Sequence, residues 1–367
     1  MGIFLIRGKI WMGEGRFCDA MVIRQGRIAA VGEQKQLAHM AVGCRVLDCD
    51  LRTVIPGLFE PYVCLEKAFG PLPLASRHRK DGFRSWLQKA ARQGFTTVQS
   101  ADLGAAVKPS DLPVLEQLYR EEQCLPRLQF VLPQGWPPLR GHRPADRLPG
   151  FGGRMLIADD LWQTQYRGGQ RWVPVRDGEE LELLLDQLRR YPLPEGNPRR
   201  LTILGAPCTH SRQLQEMGQA ALDIVGFPCH LEDSLAACAG QGAHPDTCCA
   251  WRTLSGLGAK VAFGSYDGLS PFWGLQKALC RREILPNGAD RPSPEALTLE
   301  EGLLALTQNA ARTDFQEDIT GRLAPGFRAD LVMLDRDVFA LPHEMVGQVR
   351  PVLTMAAGRV IWSEISH

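Results

Sequence analysis

At 367 residues, with 23% charged side chains and a formal net charge of +1, the chain has room for a barrel of about 250 residues plus a smaller companion, and it carries no charge excess for nucleic acid. Its 44% hydrophobic content argues against disorder, and the apolar run Ile3 to Ile6 is too short for a signal core or a membrane span. Eleven cysteines without a Cys-x-x-Cys pair argue against a disulfide framework and read as mostly reduced, buried thiols, so a cytoplasmic location is expected.

From the start to residue 55 the chain reads as short β runs broken by turns: Ile3 to Ile6, Gly8 to Trp11, Asp19 to Ile23, Gly26 to Gly32 and Cys44 to Asp48. The stretch from 319 to 367 has the same texture, with Ala329 to Leu334 and Val352 to Ile361 as strands, so the two ends are expected to form one small β-sandwich. Between them, over 56–318, apolar runs alternate with helical patterns, the signature of a parallel βα array. The runs are Leu58 to Cys64, Thr96 to Ser100, Arg127 to Leu132, Arg154 to Ala158, Arg171 to Arg176, Leu201 to Leu204, Asp223 to Phe227 and Lys260 to Ser265. Eight strands predict an α/β fold with a TIM-like (β/α)8 barrel, irregular where Arg154 to Arg176 offers no helix between its fourth and fifth strands. Helices are expected over Phe83 to Arg92, Leu112 to Gln123, Glu179 to Arg190, Ser211 to Ala221, Thr247 to Leu257, Phe272 to Arg281 and Leu297 to Thr313. Leu132 to Gly153 reads as a long loop and candidate lid, carrying Trp136, Arg140, His142, Arg143 and Arg147.

Pro56-Gly57-Leu58-Phe59-Glu60-Pro61-Tyr62-Val63-Cys64 enters the first barrel strand, and two residues two apart on a strand share a face. With Gly8-Lys9-Ile10, Gly26-Arg27-Ile28-Ala29-Ala30-Val31-Gly32, Asn309-Ala310-Ala311, Gly321-Arg322-Leu323-Ala324-Pro325-Gly326-Phe327-Arg328-Ala329-Asp330 and Ala357-Gly358-Arg359-Val360, the chain resembles the amidohydrolase superfamily. Within it the likeness is to the large branch acting on amide, formamide and cyclic-amide bonds. The resemblance implies a metal site at the C-terminal ends of the barrel strands, built from a His-x-His, two further His, an Asp and sometimes a carboxylated Lys. Here Tyr62 and Cys64 stand in place of the His-x-His, Pro174 and Gly205 in place of the next two His, and Gly264-Ser265-Tyr266-Asp267 keeps a carboxylate only with a one-residue slip. No Lys lies between Lys108 and Lys260, so strands three and four offer no carbamate.

The expectation is therefore a scaffold that has lost its metal site, a non-catalytic or divergent member holding a small molecule in the barrel mouth, with no cofactor. The alternatives are an active C–N bond hydrolase with a rebuilt site, holding zinc or another divalent ion or using acid–base chemistry alone, and a lyase or isomerase. Candidate catalytic residues are Glu60, which in a buried mouth would have a raised pKa, and Asp267. Tyr62, Tyr266 and Arg176 are candidate substrate-binding residues, and Cys64, Cys208, His210 and His230 form a fallback metal set. Against these stand blander readings: His210 opening a helix toward solvent, Cys64, Cys208 and Cys229 as core thiols, Glu60 in a structural hydrogen bond, and Asp159-Asp160 as a turn or cap. Cys248-Cys249, with Cys238 and His244, diverge too far at a helix start to chelate together. A homodimer is plausible, and no contact with nucleic acid or membrane is expected.

Overall fold

The structure, a computed structural model, describes residues 3–132, 150–154, 170–240, 242, 245–268, 270–284 and 290–365. Four strands open the chain: β1 (Phe4–Gly13), β2 (Arg16–Arg24), β3 (Arg27–Gly32) and β4 (Arg45–Pro56). Eight follow with helices between them: β5 (Leu58–Val63), β6 (Phe95–Ser100), β7 (Arg127–Leu132), β8 (Gly150–Arg154), β9 (Arg171–Val175), β10 (Leu201–Gly205), β11 (Asp223–Gly226) and β12 (Lys260–Phe263). A short ribbon, β13 (Arg282–Ile284) and β14 (Asp290–Pro292), precedes the last three, β15 (Leu331–Leu334), β16 (Pro351–Ala356) and β17 (Arg359–Ser363).

Both ends join in one seven-stranded sheet, ordered β17-β16-β15-β4-β1-β2-β3. Where a sandwich was expected, the described residues form a single hydrogen-bonded sheet, because β4 runs on to Pro56 and pairs with β1 along one edge and β15 along the other. Period-two alternation gives this sheet two apolar faces: Ile6, Ile10, Met21, Ile23 and Met333 pack on one, Leu5, Ala20 and Val22 on the other. The two runs expected on either side of Arg7 are one strand, whose ladder shifts register next to Gly8. Gly8 holds φ at +130°, and a Cβ there would stand 2.7 Å from the Cys49 Cβ.

The central strands form two four-stranded parallel sheets, β5-β6-β7-β8 and β9-β10-β11-β12, each in chain order. An isolated parallel bridge between Val63 and Tyr266 links the end of β5 to the segment after β12. The strand expected at Arg154 to Ala158 lies earlier: β7 pairs with Gly150 to Arg154, a glycine-rich segment with no apolar run to mark it, and 155–158 lie outside the described residues. Most helices fall where the 3.6-residue period placed them, with Asp177 capping Gly178–Arg190 through its carboxylate, but the one expected from Phe83 begins at Ser76 and the one expected over Thr247 to Leu257 is only Trp251–Gly256. The helix expected over Leu297 to Thr313 is broken at Thr307 into Leu299–Leu306 and Gln308–Arg312, and Leu231–Gly240 is a further helix. The residues of the proposed lid, together with Asp159, Asp160 and His244, lie outside the described residues. Among the described residues no helix is long and apolar enough to cross a membrane.

A buried ion pair fastens the two parts together. Arg127 at the start of β7 meets Asp330 beside β15, and Asp330 also accepts from Thr320 Oγ1 at 2.6 Å and Ala357 N at 2.7 Å. Burial alone would raise the Asp330 carboxyl; Arg127 and these donors hold it below the usual carboxylate range instead.

Candidate functional site

The C-terminal end of β5 is shaped by a bulge. Glu60 pairs opposite Val98 and Val63 opposite Ser100, so Pro61 and Tyr62 together face one residue of β6. Pro61 has no N–H to lose from a ladder, so the irregularity falls there without a broken hydrogen bond. Phe59 and Tyr62 consequently both turn inward, joining Val131, Trp172, Leu204, Val225 and Ala262 in an apolar cluster drawn from both parallel sheets. Glu60 does not share the face of Tyr62 and Cys64, as strict alternation would have it. It turns toward the segment after β12 instead.

There the Glu60 carboxylate, fully buried, accepts from Tyr62 N at 3.0 Å, Ser265 N at 3.0 Å and the Ser265 hydroxyl. Burial raises its pKa from 4.5 to about 8, against these three hydrogen bonds, which favour the charged form. Glu60 thus ties the bulge of β5 to the Ser265–Asp267 segment.

A cavity of about 580 Å3 opens at the C-terminal ends of β5, β9, β10 and β11. Tyr62, Phe227, Trp251 and Tyr266 give it aromatic walls, and His230, Asp267, Ser234 and Arg176 are polar groups on its lining. Tyr62, Phe227 and Tyr266 form one continuous ring surface, with centroids 5.7–6.4 Å apart, and Tyr62 stacks below on Trp172. Tyr266 takes the left-handed φ of +60° and bonds through its backbone to Tyr62 and Cys64. Beyond it Asp267 Oδ1 lies 2.7 Å from His230 Nε2. Lys67 donates to the Tyr266 hydroxyl at 3.0 Å and sits 4.6 Å from that ring's centroid. Arg176 reaches only the rim, where its Nε donates to Glu180 at 2.9 Å.

Five of the singled-out residues therefore converge on this cavity, Tyr62, Arg176, His230, Tyr266 and Asp267, and four do not. Glu60 lies behind its wall. Cys64 points its thiol at Asp102 Oδ1, 3.3 Å away, and burial raises its pKa. Asp102 itself caps the turn after β5, accepting from Leu65 N at 2.7 Å and Glu66 N at 3.2 Å. Cys208 forms a disulfide with Cys238, against the expectation of reduced thiols, because the loop after β10 and the helix Leu231–Gly240 bring their Cα atoms to 5.4 Å. Exposed His210 begins the helix Ser211–Gln219 and lines, with Cys208 and Asp177, a separate cavity of about 660 Å3. Phe227, Trp251, Trp172 and Asp102 went unread in the sequence. Phe227 ends one apolar run and Asp102 stands just past another, positions that could have marked them; Trp251 and Trp172 carry no such signal.

A sequence model of the amidohydrolase family matches residues 165–362. The chain belongs to the amidohydrolase family. It is similar to the putative amidohydrolase YtcJ of Bacillus subtilis (strain 168), 27% identical over 122 residues, which is 32% of this chain and 23% of that protein. The chain thus spans under a quarter of the curated relative it matches. In fold it is similar to an uncharacterized metal-dependent hydrolase from Pyrococcus furiosus, with a TM-score of 0.69, 14% identity, 91% of this chain and 99% of that one covered. It is likewise similar to E. coli guanine deaminase, with a TM-score of 0.63, 14% identity and 100% of both chains covered. The N-isopropylammelide isopropylaminohydrolase of Burkholderia multivorans gives 0.63 and 17%, with 99% of each chain covered.

The described residues at this cavity do not fit a hydrolytic metal ion. Among the described residues no three His, Cys, Asp or Glu side chains are grouped to hold one. At the cavity the imidazole and carboxylate are joined to each other, and Tyr62 is a neutral phenol whose pKa burial raises further. Gly205 has φ +91°, and a Cβ there would sit 2.8 Å from the Val175 carbonyl oxygen. Position 205 has no room for an imidazole without moving β9.

Proposed function

We propose that this amidohydrolase-family chain closes its two parallel sheets into one barrel and uses the cavity at the strand ends to bind a small organic molecule, as a non-catalytic or divergent member. The observation that carries the reading is the cavity lining at the strand ends, where Tyr62, Phe227 and Tyr266 make an aromatic wall, with Tyr62, Pro174 and Gly205 at the positions the family resemblance assigns to imidazoles. The Val63–Tyr266 bridge and the inner cluster drawn from both sheets support closure. Elemental analysis of purified protein, before and after dialysis with zinc, manganese and iron, tests it together with an amide, ester and lactam hydrolysis screen. The expected result is no stoichiometric metal and no turnover. One equivalent of tightly held metal, with turnover that disappears on chelation, would overturn it.

A second reading is favoured by the His230–Asp267 pair, which has the geometry of a carboxylate-oriented general base. In that case hydrolysis would persist in EDTA and vanish in His230→Ala.

A further inference from the structure

We propose that the cavity selects a protonated organic amine, whose apolar body lies on the Tyr62–Phe227–Tyr266 surface while its N–H groups are received by the His230–Asp267 pair. The inference rests on the binding reading above and adds the chemistry of the ligand.

An ionised carboxylate only accepts, so the proton between Asp267 Oδ1 and His230 Nε2 belongs to the ring nitrogen. In a neutral imidazole the other nitrogen is then bare, and Nδ1 is an acceptor as well. Neither Nδ1 nor Asp267 Oδ2 has a hydrogen-bond partner among the described residues. The two side chains keep 33% and 40% of their surface, enough to meet a ligand. With the ring neutral the pair offers two acceptors and one negative charge, Asp267 Oδ2 accepts whatever the ring carries, and the complement is a group with several donors and a positive charge.

The nearby cations do not remove that demand. Arg176 is committed to Glu180 through its backbone N–H at 2.8 Å and its guanidinium. Lys67 donates to the Tyr266 hydroxyl, on an exposed side chain whose interaction with Asp267 is screened by water. A ligand carboxylate would bring its charge against Asp267. The three rings stand too close together to enclose an ammonium between them, so they form a wall for the apolar part, with the charge at its edge.

Three probes of similar size separate the possibilities: 2-phenylethylamine, protonated at pH 7, its neutral counterpart 2-phenylethanol, and the anion 3-phenylpropanoate. Calorimetric titration of the full chain is expected to rank the amine about tenfold or more ahead of the other two, the scale of one charge-assisted hydrogen-bonded contact at the edge of the aromatic wall. Asp267→Asn should erase the preference, whereas Phe227→Ala should weaken all three probes alike. Equal or reversed ranking, an unchanged preference in Asp267→Asn, or no amine binding at millimolar concentration would overturn the proposal. Failure here leaves a distinct trace from failure of the binding reading, since that is decided by metal content and turnover in the unmutated protein.

Discussion

Replacing Glu60 by Gln should change how stability depends on pH more than stability itself. The amide keeps the shape of the carboxyl and removes its titration. Its oxygen can still accept from Tyr62 N and Ser265 N, and its NH2 can donate to the Ser265 hydroxyl. In the folded chain the Glu60 carboxyl titrates at about 8, against 4.5 without burial. A raised folded value means that the native state holds a proton the unfolded state has released, so stability is fully present below the unfolded pKa and is lost as pH rises through the folded one. Each pKa unit is about 1.4 kcal/mol, so the interval from 4.5 to about 8 amounts to up to ~5 kcal/mol. Urea unfolding of both proteins at pH 5, 6, 7, 8 and 9 reads this directly as a difference between them, which cancels other titrating groups such as Asp223, pushed up by burial to about 6. The wild type should lose several kcal/mol relative to Glu60→Gln between pH 5 and pH 9, with the loss levelling off above 8. A flat difference, or a wild type that gains on the variant as pH rises, would refute the reasoning.

Removing one partner of the buried Arg127–Asp330 pair should cost about 3–5 kcal/mol in denaturant unfolding, because a buried charge is left alone, and Arg127→Met with Asp330→Leu should recover much of it. Breaking the Cys208–Cys238 link with Cys208→Ser should cost about 2–4 kcal/mol, and peptide mapping without reductant should recover the two segments joined; free thiols at both positions would refute the link. Gly205→Ala should destabilise by about 1–3 kcal/mol, since it adds left-handed strain to a 2.8 Å approach on Val175 O, and a variant as stable as the parent would show that the backbone at 205 relaxes freely.

The strands were legible in the sequence because apolar runs with helical spacing between them have few other readings; seven of the eight central runs coincide with strands, and β8 escaped because Gly150 to Arg154 lacks such a run. The sheet made by both chain ends was harder, since a period of two gives faces but not partners, and only the length of β4 makes one sheet of them. At the site, His230 and Asp267 could be listed but not joined, because they lie 37 residues apart and meet only through the left-handed turn at Tyr266. Glu60 was misplaced for a local reason. Alternation along β5 put it beside Tyr62, and the bulge at Pro61, which reverses it, has no periodic signal.

The local geometry of the site is set by the backbone as well as by the side chains. The bulge sends Phe59 and Tyr62 inward together and fixes their position through Glu60, whose hydrogen bonds reach Ser265, next to the strained Tyr266 that delivers Asp267. Gly205 follows a conformation that a side chain resists, and β9 lies against it. A point substitution that places an imidazole at 62 or 64 would still meet a Gly205 with no room for a second one, and a carboxylate already held by His230. The aromatic residues are packed against one another across both sheets, so removing one to admit an ion opens a cavity in an apolar cluster. The same packing holds the aromatic wall in place, which is what the proposed organic guest would lie on.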